Sequence, residues 1–255
     1  MRSMRTRLFA ALAALPLAAG LLAASPAQAE PAPMSLTSIS VSKPSFVLSG
    51  KAGCTTVATF TAVFSEPLPP MSEGWEASEV ILNLLPPGAT RWPSRPSLAT
   101  FQQVGTSATY RGNLPLCGRN APGAYRAKIH GFLMRGPTTS DADLLFTNAL
   151  ETSFSIRRPA KLTLNAAPEP VRKGKKLTAK GTLKVDGKAL TGVQVKIYFK
   201  AAGATTWTHR GTAVTSKTGA YSKKFTATRT GTWKAVYAGA GTRTSASAAD
   251  AVKVK

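Results

Sequence analysis

Three short segments carry residue types that could form an acyl-serine enzyme. Ser40-Val-Ser-Lys43 has S-x-x-K spacing, Ser140-Asp-Ala142 stands where S-D-N would, and Lys217-Thr-Gly219 reads K-T-G, in the right order. That chemistry needs the serine at the start of a buried helix and the lysine one turn later, where desolvation can tune the amine. Here Pro44 follows Lys43 directly, the stretch around Ser40 reads as strand, and the second segment lacks its asparagine. A hydrolytic triad would need His130 or His209, the only two histidines, and no G-x-S-x-G elbow accompanies either. Both are read as exposed histidines near strand ends or turns. Glu66, Glu73, Glu76 and Glu79 could supply the paired carboxylates of a glycosidase. They surround or follow Pro67-Leu-Pro-Pro70, and a solvated loop explains them more simply. Two cysteines and two histidines are too few for a multi-ligand zinc site or an iron–sulfur cluster. The sequence therefore predicts no catalytic residue, no metal and no cofactor.

The remaining chemistry is charge. The 255 residues carry 33 Lys+Arg against 11 Asp+Glu, for a net charge of +22. It is unevenly spread: residues 30–158 hold 11 basic and 8 acidic side chains, residues 159–255 hold 19 basic and 3 acidic. Within the latter, Arg172, Lys173, Lys175 and Lys176 crowd one turn, and Lys196 and Lys200 flank Tyr198 on one side of an alternating segment. A field of this kind attracts polyanions such as anionic cell-wall polymer, acidic polysaccharide or phospholipid headgroups. The candidate binding residues are Lys173, Lys175, Lys176, Lys196, Tyr198 and Lys200; the alternative is a surface that only keeps the protein in solution.

The compartment follows from the first residues. Arg2, Arg5 and Arg7 precede the apolar stretch Leu8–Ala24, and Ala27-Gln-Ala29 is a small-x-small cleavage signal before Glu30. This reads as a secretory signal peptide over residues 1–29, too short and too interrupted by Pro16 and Gly20 for a membrane anchor. The end of the chain, Ala251-Val-Lys-Val-Lys255, lacks the apolar tail of a covalent wall-sorting signal. A secreted, extracellular protein without a transmembrane anchor is expected, monomeric and with no role in nucleic-acid binding. Outside the cell thiols oxidise, and Cys54 and Cys117 form the one possible intramolecular pair.

These groups must be positioned by strands. Hydrophobic residues make up 43% of the chain and charged ones 17%, enough to build a core. Thr55–Phe64, Glu79–Leu85, Ala108–Arg111, Tyr125–Ile129 and Thr152–Ile156 are short runs of β-branched and aromatic residues between turns. Val193–Lys200 alternates strictly, with Val193, Val195, Ile197 and Phe199 toward a core and Gln194, Lys196, Tyr198 and Lys200 away from it. Leu177–Val185 turns at Asp186-Gly187, and Gly219–Phe225 and Gly231–Tyr237 each enter through a glycine. Lys223, on the same side as Tyr221 and Phe225, is expected to lead its ammonium out at a sheet edge. No stretch of the mature chain keeps a helical period. The prediction is all-β: two antiparallel β-sandwiches in tandem, residues 30–158 and 159–255, with a protease-accessible boundary near Pro159.

Pro168 to Gly181, the Gly-x-Tyr and Gly-x-Trp strands, and Ser245 to Asp250 before a terminal strand resemble a bacterial immunoglobulin-like domain of secreted actinobacterial proteins. The resemblance covers residues 159–255 and implies a sandwich used as a spacer, adhesive module or appendage. Some relatives are described as calcium-binding, yet Glu169, Asp186 and Asp250 are too few and too scattered for an oxygen cage. Residues 30–158 resemble no family by name. Their cysteine spacing suits an inter-sheet bridge, although Trp75 lies late for an antibody-type strand and Pro115 stands where a tyrosine would.

The functional expectation is a non-catalytic binding or structural protein, associated with the cell envelope or extracellular polyanions through residues 159–255. The alternative is a secreted inhibitor or regulator of an extracellular enzyme, acting through the exposed loop Pro86–Pro93. The mass of the exported protein checks the compartment: it is expected to match a chain starting at Glu30 with Cys54 and Cys117 oxidised, and a start elsewhere or two free thiols contradict the reading.

Overall fold

The computed structural model describes residues 34–51, 53–71, 75–97, 99–135 and 143–255. The expected signal peptide, Ser140–Ala142 and Glu73 lie outside the described residues. Among those described there is no helix, so Ser40 and Lys43 have no helical turn on which to meet.

The first half contains β1 (Leu36–Val41), β2 (Ser45–Val47), β3 (Thr56–Phe64), β4 (Trp75–Leu85), β5 (Thr100–Gln103), β6 (Thr109–Leu116), β7 (Gly123–Arg135), β8 (Asp143–Phe146) and β9 (Leu150–Arg157). One sheet has the order β1-β3-β6-β5, the other β2-β9-β7-β4 with β8 on β7. All pairs are antiparallel except β2 with β9, where Phe46 lies beside Ile156 in parallel register. The two sheets stack because every second residue is apolar. Ala58, Phe60, Ala62 and Phe64 of β3 face Tyr125, Ala127 and Ile129 of β7 and Phe154 and Ile156 of β9 across one core. Phe154 ties the layers together: its ring stacks on Tyr125 at 5.2 Å and meets Phe46 and Phe60 edge-on at 5.6 and 5.9 Å. Face-offset and edge contacts of this kind add to the burial itself.

The disulfide between Cys54 and Cys117 is present, with Cα atoms 3.8 Å apart. It does not join the two sheets, as the spacing suggested. β3 pairs directly with β6, Thr56 opposite Leu116, and the cysteines lie just beyond that ladder. The spacing of 63 residues is the same for either geometry; only the strand order decides between them. Gly118 follows immediately, and a Cβ there would fall 1.7 Å from the Lys51 carbonyl oxygen. Only glycine allows that approach.

The second half contains β10 (Ala160–Leu162), β11 (Asn165–Ala167), β12 (Lys176–Val185), β13 (Lys188–Ala189), β14 (Gln194–Ala201), β15 (Thr208–Val214), β16 (Ala220–Thr226), β17 (Gly231–Tyr237) and β18 (Ala246–Val252). β12 is central in one sheet, with β10 and β11 along one edge and β16 and β13 along the other. The second sheet runs β15-β14-β17-β18. Leu177, Leu183 and Tyr221 pack against Val195, Ile197, Trp233 and Ala235 in a second core, and the Phe225 and Trp233 rings lie 4.6 Å apart. Asp186 and Gly187, with φ of 49° and 78°, make the tight turn read from their sequence. Ser245–Asp250, read as preceding the terminal strand, instead forms most of β18. Lys223 is exposed at the β16 edge, where its Nζ donates to the Thr212 carbonyl at 3.0 Å.

The first core ends at Ile156 and the second begins at Leu162. Between them the chain is held on both sides. The Arg157 backbone pairs with β2, its carbonyl accepting from Leu48 N–H, while its guanidinium donates onward to the carbonyls of Ala240 (2.9 Å) and Arg243 (2.8 Å). Arg158 does the reverse. Its N–H donates to the Thr242 carbonyl and its own carbonyl accepts from Thr244, but its side chain turns back to the carbonyls of Leu48 (3.1 Å), Gly118 (2.8 Å) and Asn120 (2.6 Å). Asp186 closes the junction, 3.6 Å from Arg158 Nε and accepting from Gly50 N–H at 2.9 Å. The Arg158 side chain is only 11% exposed. Removing its head strands three carbonyls and leaves Asp186 with the Gly50 N–H alone, so Arg158→Ala is expected to cost about 2–4 kcal/mol. Urea unfolding measures that cost. Trypsin is expected to leave Arg157 and Lys161 uncut in the native protein and to cut there in the variant; early cutting of the native protein contradicts the clasp.

Candidate functional site

The strand pairs place the sequence-predicted lysines in two groups. On β14 the alternation holds: Val195 and Ile197 are fully buried, Phe199 packs on the core, and Gln194, Lys196, Tyr198 and Lys200 face outward. Lys173 and Lys175 lie in the turn before β12, and Lys176 opens that strand, its Nζ donating to Thr226 Oγ1 at 2.8 Å. The two groups are carried by different sheets. They approach one end of the sandwich, because Lys173 N–H bonds the Lys255 carbonyl and Val254 bonds Thr230, next to where Ala201 of β14 faces Gly231.

Register across the second sheet adds residues beside Tyr198 and Lys200. Tyr198 lies opposite His209 on β15 and opposite Lys234 on β17, and Lys200 lies opposite Thr232. The Tyr198 and His209 rings meet edge-on at 5.3 Å. Trp207, the residue before β15, has Lys200 Nζ 5.1 Å and Lys234 Nζ 5.2 Å from its ring centre. Trp207 and Lys234 were not among the candidates. Their signal was present: Trp207 and His209 share a side in Thr206-Trp-Thr-His209, and Lys234 sits between the core residues Trp233 and Ala235.

The acidic residues of this half are committed elsewhere. Glu169 accepts from the Lys253 N–H at 3.2 Å, Asp250 from Ala166 N–H at 2.7 Å, and Asp186 belongs to the junction. No carboxylate shares the outward face of β14, β15, β17 and β18, whose other positions are Gln194, Thr212, Val214, Val236, Ser247, Ala249 and Ala251. The positive charge there is uncompensated. A second basic concavity, about 760 Å³, opens at the junction, where Lys51, Lys161, Lys188 and Arg243 surround the Arg158–Asp186 pair.

The other candidate chemistry is not assembled. Lys217-Thr-Gly219 forms the turn before β16, with Gly219 N–H bonded to the Ser216 carbonyl. His209 is exposed and has the Thr212 hydroxyl 3.4 Å from Nε2. His130 sits within β7 rather than at its end, half-buried, opposite Ile81 and 5.7 Å from the Phe146 ring. Glu66, Glu76 and Glu79 are exposed, Glu76 and Glu79 within β4 rather than in a loop. Among the described residues no group of three or more His, Cys, Asp or Glu side chains converges as a metal site. In the loop Pro86–Pro93, Trp92 is drawn back toward β7, with Lys128 Nζ 4.5 Å and the Arg126 guanidinium 5.4 Å from its ring.

No family model matches the chain, and no curated protein is similar to it. Among solved structures it is similar to a marsupial T cell receptor, at 13% identity and a TM-score of 0.39, covering 87% of this chain and 73% of that one. It is also similar to the D00-D0 domain of intimin (11%, 0.29, 87% and 99%) and to the Escherichia coli adhesin FdeC (16%, 0.32, 87% and 66%). Likenesses this distant assign no function.

His130 yields a pH dependence. Burial, and then the nearby Lys128 charge, hold its pKa below the usual imidazole value. The folded state therefore favours the neutral ring, and the unfolded chain takes up the proton first as pH falls. The stability it contributes is present above the ordinary value of about 6.5 and is lost as pH falls through the lower folded value. Urea midpoints are expected to drop between about pH 7 and 5.5, above the carboxylate range, and to flatten in His130→Gln. An equal slope in both proteins rules the residue out.

Proposed function

We propose that this chain is an exported, non-catalytic binding module that associates with anionic polymers of the cell envelope or its surroundings. The single observation carrying the reading is the uncompensated basic surface of residues 159–255. All three carboxylates of that half serve backbone amides or Arg158, and none faces the lysines of β14 and β17. Paired strands and tight turns fix the backbone beneath these cations, so an incoming polyanion has to order lysine side chains but not the main chain. The signal-peptide pattern and the Cys54–Cys117 disulfide support an oxidising, extracellular setting. The resemblance of residues 159–255 to bacterial immunoglobulin-like modules agrees with a role in attachment rather than turnover.

Attraction of this origin is screened over about 8 Å at physiological ionic strength. Retention of the protein on immobilised polyanion is expected to be strong at low salt and to fall steeply as salt rises. Reversing Lys173, Lys175 and Lys176 to glutamate, or Lys196 and Lys200 to glutamate, is expected to weaken it at every low salt concentration. Reversing Arg91, Arg95 and Arg111 of the first half is expected to change it little. Equal effects from both halves, or retention that ignores salt, reduce the basic surface to a solubilising one.

A further inference from the structure

We infer that Trp207, with Lys200 and Lys234, forms a platform for a sugar ring bearing an anionic group, so that the polymer bound here is an acidic polysaccharide. This rests on the polyanion reading above and narrows it to one chemistry. Lysines alone read charge and do not tell a phosphate chain from a uronic-acid chain. An aromatic face adds a second criterion, because the apolar C–H face of a pyranose can lie flat on it.

The geometry supplies both criteria at one place. Trp207 is 36% exposed, on a face whose other outward positions are mostly small or polar. Its ring lies under two ammonium groups, 5.1 and 5.2 Å from the ring centre, that come from neighbouring strands. Lys200 and Lys234 thus hold the ring by cation–π attraction when no ligand is present. They are also long enough to move to a carboxylate lying at the ring's edge. Tyr198 and His209, the next row along the same face, extend the aromatic surface by one step in the direction of a polymer chain. No carboxylate on this face repels the ligand. The junction cleft, though basic, has no aromatic side chain among its lining residues and can read charge only.

The test uses the full exported protein with polygalacturonate, which has rings and charge, polyphosphate, which has charge alone, and a neutral glucan, which has rings alone. Polygalacturonate is expected to bind tightest and the glucan weakest. W207A is expected to weaken polygalacturonate about tenfold, the scale of one good aromatic contact, and polyphosphate by less than about twofold. W207F is expected to retain most of the affinity, which excludes misfolding as the cause. K200Q with K234Q is expected to weaken both polyanions and reduce their salt dependence, whereas K161Q with K188Q at the junction leaves polygalacturonate binding unchanged. If W207A weakens both polyanions alike or neither, or if the junction pair carries the loss, this assignment falls while the broader reading stands. If the native protein binds neither polyanion at low salt, both fall together.

Discussion

Two consecutive arginines with opposite allegiances hold the two cores in register. Arg157 is hydrogen-bonded by its backbone to the first half and by its guanidinium to the second, and Arg158 has the roles exchanged. Losing Arg158 strands the carbonyls of Leu48, Gly118 and Asn120, whereas the Ala240 and Arg243 carbonyls that Arg157 reaches also accept each other's backbone N–H. A guanidinium suits this task because its planar fork offers several donors in fixed directions, and it stays charged when partly buried. Asp186 supplies the one countercharge from a turn whose left-handed backbone brings its carboxylate toward Gly50 and Arg158. The boundary is therefore a stitched junction rather than a free linker.

That junction also uses up one of the three carboxylates of residues 159–255. The other two are used in the same spirit: Asp250 and Glu169 each satisfy a backbone N–H that the irregular edge of the sandwich leaves unpaired. Because residues 159–255 hold only these three acids, their structural use leaves the lysines of the outer sheet face without acidic partners. The basic surface and the integrity of the fold thus share a cause.

The two halves close their layers with different side chains but repeat one local device. Gly123-Ala-Tyr125 and Gly219-Ala-Tyr221 both enter a strand from a glycine with positive φ, and both tyrosines are buried with the hydroxyl donating to a main-chain carbonyl, Ala121 at 3.0 Å and Thr163 at 2.5 Å. Burial raises the pKa of both phenols, which keeps the donors protonated. Each hydroxyl satisfies an acceptor where a strand begins, at little cost in side-chain freedom.

Sequence alone determined the elements whose pattern is local. Period-2 alternation identified β14 and β17 and the faces of their residues, because a strand that is half-buried writes its orientation into every second position. The Asp-Gly pair marked its turn, and the missing helical period agrees with described residues that form strands and no helix. Features that depend on which strands become neighbours were not legible. Cys54 and Cys117 have one spacing whether they bridge sheets or adjacent strands, and only the β3–β6 pairing decides it. Ser245–Asp250 reads as loop in isolation, being small and polar, and becomes β18 because β17 offers it a free edge. The lysine candidates on β14 were visible one strand at a time, but Trp207 and Lys234 joined them only through cross-strand register, which couples residues far apart in the chain at distances no local pattern encodes.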